Sequence, residues 1–567
     1  MLLSLLLLGC SLSAGCDAGN PVTEEAPRSQ PNTGERTARP NVLLIVVDDM
    51  GFADLGSFGS EIPTPHLDEL AYAGIRLTNF VTSPACSPTR ATLLTGVDPH
   101  RAGFGNLKEE LAPNQESQPG HEGYLTDNVV TVVSLLRDAG YRTYMTGKWH
   151  LGVEAHSWPA ARGFDRSFAM LKNASHFADM LPAYSPDPDA IAEYVEDDML
   201  LDALPRDFEY SSQFYVDRLI DYIDDESGDE RPFFAYLAFS APHWPLQAPD
   251  PAIARFEGAY NDGYDVILER RLAAQMRMGI VPAHAAAAQR APKGVAWDRL
   301  TDEQKRVEVR SMEIYAAMVA EVDRHVGRLV QYLRESGQLE NTVIVFMSDN
   351  GAEGHDYDDT WPEDAFPAIR KAIDERHDFS FENMGRPRSY TFYGPNWARV
   401  SAPTLRLYKA FPTEGGVRTA AFVTYPRRFE QGVIRNELVL AKDLAPSMLA
   451  IAGVEHPGLQ YRGRAVEPVS GRSMVEYFAT GKYPLEDRQH ADELIGKKGI
   501  RRGKWKLVQM PEPFGSGAWE LYDLDADPSE RHDLADEMPD LVDDLAAAWE
   551  AYAAENGVIL PDWVSGY

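Results

Sequence analysis

Residues 42–47, Val-Leu-Leu-Ile-Val-Val, form an unbroken apolar run that ends abruptly on Asp48-Asp49-Met50-Gly51. A run of that length without polar alternation suits a central parallel strand buried on both faces. Two adjacent carboxylates straight after such a strand are poor core material, and in open α/β sheets ligands collect at the carboxyl ends of the strands. The same pattern recurs. A strand near 141–145 leads to Gly147-Lys148-Trp149-His150, one at 233–239 leads to Pro242-His243-Trp244, and one at 342–347 leads to Asp349-Asn350-Gly351. Residues 127–139 read as a helix with Val129, Val132, Val133 and Leu136 on one face and Gly140 as its stop. Residues 307–335 read as a longer helix, with an apolar stripe from Met312 to Leu333. Alternating strands and helices predict an α/β fold, with a large mixed, mostly parallel, doubly wound sheet flanked by helices. The four polar strand ends predict one site at one edge of that sheet.

The core resumes with Tyr408-Lys409 and a strand at 420–425, and residues 443–452 read as a helix stopped by Gly453. After about residue 456 the style changes. Residues 500–508 and 519–524 read as antiparallel strands, the first interrupted at Gly503, and residues 539–556 read as an amphipathic helix. The expected organisation is an α/β domain over 41–455 and a small α+β domain over 456–567, in keeping with a chain of 567 residues. Residues 162–231 and 353–400 show no clear period and are rich in Pro, Tyr, Phe, His and Asp. They are expected to be long loops that cover the site.

Residues 1–16 read as a signal peptide. Leu12-Ser13-Ala14-Gly15-Cys16 is similar to a bacterial lipoprotein box, with Cys16 as the lipidated residue, and Leu7-Leu8-Gly9-Cys10 is a weaker second candidate. Residues 17–40 carry almost no large apolar side chain and read as a disordered linker. The protein is therefore expected to be exported, periplasmic or at the cell surface, and to meet a membrane only through an N-terminal lipid anchor. With three cysteines, two of them in the leader, a disulfide framework is excluded. A net charge of -33 argues against nucleic acid. It leaves an anionic substrate open, because a local cluster of cations can dominate one site.

The remaining cysteine stands in Cys86-Ser87-Pro88-Thr89-Arg90, followed by Gly96. Pro88 suits the first turn of a helix and Gly96 its end, which puts Cys86 at a helix N-terminus, where free N–H groups favour an anion. Arg90, one turn on, offers a planar fork of donors to the same anion. This Cys-x-Pro-x-Arg stretch resembles the signature of the type I sulfatases, and the resemblance runs from about residue 41 into the C-terminal domain, nearest to bacterial arylsulfatases. It implies an alkaline phosphatase-like fold. It also implies that a maturation enzyme oxidises Cys86 to formylglycine, an aldehyde that hydrates to a geminal diol.

Asp48, Asp49, Asp349 and Asn350 supply only oxygen, which favours calcium or, second, magnesium. In the resembled family these positions hold one calcium ion together with the residue at position 86. The segment containing Lys148 and His150 resembles the second sulfatase signature. By that resemblance Arg90, Lys148 and Lys409 bind the sulfate, and His150 hydrogen-bonds a diol hydroxyl. His243 faces the leaving-group oxygen. One hydroxyl attacks sulfur with Asp349 as base, and His243 with Lys409 protonates the departing alcohol or phenol. The second hydroxyl then loses its proton to His150 as sulfate leaves by C–O cleavage. The implied activity is hydrolysis of an aryl or saccharide sulfate monoester. A phosphonate monoester or phosphodiester hydrolase on the same fold is the nearest rival. A non-catalytic lipoprotein that binds sulfated glycans is the other, and its mark would be a missing nucleophile or a broken metal set.

Overall fold

A computed structural model describes residues 39–225, 227–484 and 488–563; the leader with Cys10 and Cys16 lies outside them, as does nearly all of the expected linker. Strands β1 (Asn41–Val47), β2 (Ile75–Val81), β3 (Arg142–Lys148), β4 (Arg166–Met170), β5 (Tyr194–Glu196), β6 (Met199–Leu200), β7 (Phe233–Ala238), β8 (Thr342–Ser348), β9 (Arg418–Thr424), β10 (Val433–Arg435) and β11 (Val439–Leu440) form one sheet. Its order is β10-β2-β9-β8-β1-β7-β3-β4-β5-β6, with β11 also paired to β2. The central strands β8, β1, β7, β3 and β4 run parallel. β9 is antiparallel to both β8 and β2, and β5 and β6 close the far edge antiparallel, so the sheet is mixed but mostly parallel in its centre.

The unbroken apolar run of β1 has a direct cause. Leu43, Ile45 and Val47 face one core, and Val42, Leu44 and Val46 face another; all six are fully buried. Helices Asp302–Glu335 and Ser211–Asp225 cover the first face, and helices Cys86–Thr95, Val132–Asp138 and Leu444–Ala452 cover the second. Each buried aliphatic side chain contributes roughly 1.5–3 kcal/mol through removal from water.

Several boundaries differ from the sequence reading. The long helix begins at Asp302, five residues before the expected start, because Thr301 and Gln304 form a reciprocal capping box. The helix expected at 127–139 spans only Val132–Asp138. Thr131 ends the extended segment before it, accepting from Ser134 N and donating to Arg162 O. The stretch 162–231 is not a loop throughout, since it supplies β4, β5, β6 and the Ser211–Asp225 helix. The stretch 353–400 holds three short helices, Tyr357–Thr360, Pro367–Arg376 and Gly394–Ser401. β2, a buried strand, was not singled out in the sequence because Arg76, Thr78 and Asn79 interrupt its apolar residues.

C-terminal to a small hairpin, β12 (Gln460–Tyr461) and β13 (Arg464–Ala465), lies a second, antiparallel sheet. Its order is β14 (Gln489–Leu494), β15 (Lys497–Arg502), β16 (Trp505–Gln509), β17 (Trp519–Asp523). The single strand expected at 500–508 is two strands, turned at Gly503 with φ +58°. Helix Pro539–Asn556 lays Leu545 and Trp549 on Ala491, Ile500, Leu507 and Leu521 of this sheet. The described residues from 39 to 563 belong to one compact unit. Among the described residues no helix is long and apolar enough to cross a membrane.

Candidate active site

Adjacent parallel strands place their carboxyl ends side by side, and the order β8-β1-β7-β3 therefore gathers four sets of polar residues. β8 ends in Asp349 and Asn350, β1 in Asp48 and Asp49, β3 in Lys148 with His150 just beyond, and His243 follows β7. Asp49 and His150 have φ of +66° and +55°, a left-handed conformation that costs a side-chain-bearing residue free energy and turns each side chain into the site. Cys86 is the first residue of its helix, after Ala85 in extended conformation as N-cap, and Gly96 ends the helix in the left-handed region. Thr89 ties the turn before it, donating to Ser83 O and accepting from Ser83 N.

The structure brings all the expected residues together, and all are buried. Cys86 Sγ lies 3.3 Å from His150 Nδ1 and 3.6 Å from Lys148 Nζ. Lys148 Nζ donates to Asp48 Oδ2 at 2.7 Å, and Lys409 Nζ to Asp49 at 3.0 Å. Asn350 Nδ2 donates to Asp49 Oδ1 at 2.7 Å. Arg90 donates through Nε to Asp349 Oδ2 and through Nη1 to Lys148 O, and its Nη2 lies 2.7 Å from the same Asp349 oxygen. The guanidinium braces Asp349 from inside the helix–sheet interface, and its Nη2 makes no hydrogen bond among the described residues.

Electrostatics point to a cation. Burial pushes Asp49 and Asp349 up, and the neighbouring Asp48 charge adds to it for both. Asp48, although equally buried, is held well below the usual carboxylate range, chiefly by Lys148, with Arg90 and Lys409 adding to it. Three carboxyl groups in a dry pocket resist full ionisation together unless further positive charge arrives. Asp48 Oδ1 and Asn350 Oδ1 are buried with no hydrogen-bond partner. Asp48, Cys86 and Asp349 offer ligand atoms within 4.8 Å of one another, and so do Asp48, Asp49 and His243. Unpartnered buried oxygens beside carboxylates suit a hard divalent cation, and the residues present fit one.

Both histidines are kept neutral. Burial lowers His150, with Lys148 adding to it, and burial with Lys409 lowers His243 further. His243 Nδ1 lies 2.5 Å from Trp244 O, and a carbonyl only accepts, so Nδ1 carries the proton. Its Nε2 lies 3.3 Å from Lys409 Nζ, 3.2 Å from Asn173 Nδ2 and 3.3 Å from Asp49 Oδ2. Burial also raises the Cys86 thiol, which is a poor nucleophile as it stands.

A narrow cavity of about 10 Å³ opens on Cys86, His150, His243 and Lys409. Its outer wall is Glu109, Tyr184, Trp244 and Trp361, of which the sequence reading named only Trp244, and that merely as a neighbour of His243. Glu353, 3.4 Å from Lys409 Nζ, was missed as well. Its one signal was its place four residues beyond Asp349 at the end of a buried strand. Glu109, Asn173 and Tyr184 come from segments without periodic pattern and are brought in only by tertiary folding. A wider open groove of about 910 Å³ near Trp297, Arg306 and Phe381 holds none of these residues.

Comparison with known proteins gives a consistent result. The family profile described as Sulfatase matches residues 40–454, and that described as N-sulphoglucosamine sulphohydrolase, C-terminal, matches residues 407–551. An uncharacterized sulfatase of Schizosaccharomyces pombe is 40% identical over 542 residues, 93% of this chain and 96% of that protein. The arylsulfatase of Klebsiella aerogenes is 37% identical over 444 residues, 77% of this chain and 91% of that protein. The crystal structure of Ps i-CgsB in complex with k-i-k-neocarrahexaose superposes with a TM-score of 0.64 at 25% identity, covering 93% of this chain and 95% of that one.

Proposed function

This chain belongs to the sulfatase family and hydrolyses sulfuric esters, and we propose that residue 86, once oxidised by a maturation enzyme from cysteine to formylglycine, is its nucleophile. The observation that carries this is the placement of Cys86 Sγ at a helix N-terminus, 3.6 Å from Lys148 Nζ and 3.3 Å from His150 Nδ1, opening on the cavity. The hydrated aldehyde supplies two hydroxyls, one to attack sulfur and one to drive sulfate out afterwards. Asp48, Asp49, Asp349 and Asn350 with residue 86 would hold one calcium ion, which would supply positive charge to the sulfate and to the attacking oxygen.

The chain's own residues do the rest. Lys148 and Lys409 face the sulfate oxygens and neutralise charge that grows on them. Arg90 fixes Asp349, the base, against the strand ends. His243, with Lys409 3.3 Å from its Nε2, provides the proton that the departing oxygen needs. His150 faces residue 86 and takes the proton of the second hydroxyl. The aromatic wall of Tyr184, Trp244 and Trp361 receives the alcohol half of a sulfated phenol or saccharide. The alcohol class is open between the aryl sulfate named for the Klebsiella relative and the saccharide of the Ps i-CgsB complex. We propose further that the protein is exported to the periplasm or cell surface and tethered through Cys16, with catalytic residues in 41–455 and a C-terminal unit in 456–567.

The test is the mass of the tryptic peptide containing Cys86 in active material, which is expected to show the aldehyde or its hydrate. Full activity from protein with only unmodified thiol would sink the assignment. Elemental analysis is expected to find calcium, and Asp49→Ala to lose metal and activity together. Labelling with a palmitate analogue is expected in the wild type and absent in Cys16→Ala.

A further inference from the structure

Glu109 is a carboxylate in the wall of a cavity that takes an anion. Its presence there opposes sulfate binding unless the charge has another task. It stands on the short turn Lys108–Glu110. Asn106 braces that turn, donating to Glu110 O at 2.9 Å and accepting from Leu107 N at 2.8 Å. Glu109 Oε1 accepts from Tyr184 OH at 2.9 Å and lies 3.4 Å from His150 Nε2. Tyr184 is held in turn by its ring contact with Trp361, at 5.4 Å between centroids. On the other side of the imidazole, Nδ1 lies 3.3 Å from Cys86 Sγ. Residues 86, 109, 150 and 184 come from four separate segments, and the ring of His150 faces Cys86 through one nitrogen and Glu109 through the other.

We propose that Glu109, fixed by Tyr184, is a positioning residue that holds the proton of His150 on Nε2 and so keeps the Nδ1 lone pair aimed at residue 86. A carboxylate only accepts, so the nitrogen facing Glu109 carries hydrogen and the nitrogen facing residue 86 does not. The inference rests on the reading of residue 86 given above. The step served is the release of sulfate. The O–H bond of the second hydroxyl breaks and its proton goes to His150 Nδ1. The O–H electron pair becomes the second bond of the carbonyl, and the C–O bond to sulfate breaks with its pair leaving on sulfate. His150 then carries a charge that Glu109 pairs at once. This is the arrangement of nucleophile, histidine and orienting carboxylate used in acyl transfer, applied here to the second half of the cycle. The ionised state of Glu109 agrees with it: burial alone would raise its carboxyl, but the contact with His150 and the Tyr184 hydroxyl hold it at about 2.

Two measurements test the proposal separately from the nature of residue 86. In protein produced without the maturation enzyme, ¹⁵N-histidine spectra are expected to show His150 as the Nε2–H tautomer, assigned by its loss in His150→Gln. Glu109→Gln is expected to weaken that preference. The opposite tautomer in the wild type, or no change in Glu109→Gln, would overturn the inference while leaving the nucleophile assignment standing. In matured protein, Glu109→Gln is expected to lower kcat for nitrophenyl sulfate by about 10- to 100-fold. KM should fall with it, so that kcat/KM stays near wild type, and intact mass taken during turnover should show one sulfuryl group retained on the enzyme. Glu109→Asp is expected to recover part of kcat. A fall in kcat/KM with no retained sulfuryl group would mean that Glu109 merely supports the cavity wall.

Discussion

Arg90 sets Nε and Nη2 on the same oxygen of Asp349, at 2.8 and 2.7 Å, and gives Nη1 to the Lys148 carbonyl at 2.7 Å. The side chain is fully buried. One guanidinium thus locks the end of β8 to the end of β3 from a helix that also carries residue 86. The sequence pattern suggests a cation aimed at a substrate, and the geometry adds that Arg90 braces Asp349, one of the residues expected to hold the metal.

Arg90→Lys therefore keeps the charge and loses the fork. It is expected to weaken calcium binding by about 10- to 100-fold, as loss of a partner behind a metal ligand does, with a parallel fall in kcat. Calcium titration followed by kinetics at saturating metal checks this. Unchanged metal affinity with a raised KM alone would show that Arg90 grips the sulfate directly.

The Lys409–His243 pair gives a second prediction. Help in protonating the leaving oxygen matters more as that oxygen becomes more basic. His243→Ala is expected to slow alkyl or saccharide sulfates by about a hundredfold or more, and nitrophenyl sulfate by less than about tenfold. A leaving-group series on wild type and variant measures this. Equal losses across the series would remove His243 from the proton path.

Much of the site was legible in the sequence because the central strands are buried on both faces. Continuous apolar runs such as that of β1 mark their own ends, and the ends of β1, β3, β7 and β8 are the site. What was not legible has two causes. β4, β5 and β6 are short, lie toward one edge and carry mixed side chains, so their stretch has no period to read. Glu109, Asn173, Tyr184 and Trp361 reach the cavity through tertiary packing that no local pattern encodes. The early start of the long helix is a different case, since the capping box at Thr301 and Gln304 stood in the sequence and signalled it.

The segment that carries Lys409 is tied to the C-terminal sheet by buried charges, and this sets a pH dependence of stability. Glu414 N donates to Glu530 Oε2 at 2.9 Å, Lys506 Nζ lies 3.2 Å from Glu414 Oε1, and Arg406 Nη1 lies 2.9 Å from Glu520 Oε2. Burial, helped by the Glu414 charge, raises Glu530 to about 7 from its ordinary 4.5, against the pull of Lys506 and Arg406. A carboxyl raised in the folded state contributes stability that is fully present below its unfolded pKa and is lost as pH rises through the folded one. Glu414 has the opposite sign. It is buried but held at about 2 by Lys506, Arg501 and Arg418, so its contribution is present above 4.5 and lost as pH falls. Glu530→Gln, which stays neutral, is expected to gain Tm relative to wild type as pH rises from about 5 to about 8. A difference in Tm that does not vary with pH would show that Glu530 is ionised throughout.

Gly147 tests how closely the strand ends must approach. It pairs with Ala238 across β3 and β7, one residue before Lys148, with φ of +111°. A Cβ there would stand 1.8 Å from Ala238 O, a backbone atom that can yield only if the strands part. Gly140 provides the control, since its φ is +92° and a Cβ there would meet nothing within 4 Å. Gly140→Ala then carries backbone strain alone, about 1–2 kcal/mol. Gly147→Ala carries that strain plus the forced separation of β3 from β7, about 3 kcal/mol or more in total. It should also displace Lys148 and His150 together, so turnover is expected to fall by more than the lost stability explains, while Gly140→Ala keeps near wild-type turnover at temperatures where it is folded. Thermal unfolding and kinetics on both variants decide the matter. Equal losses of Tm and of turnover would mean that the close contact of the two strands does not set the position of the site residues.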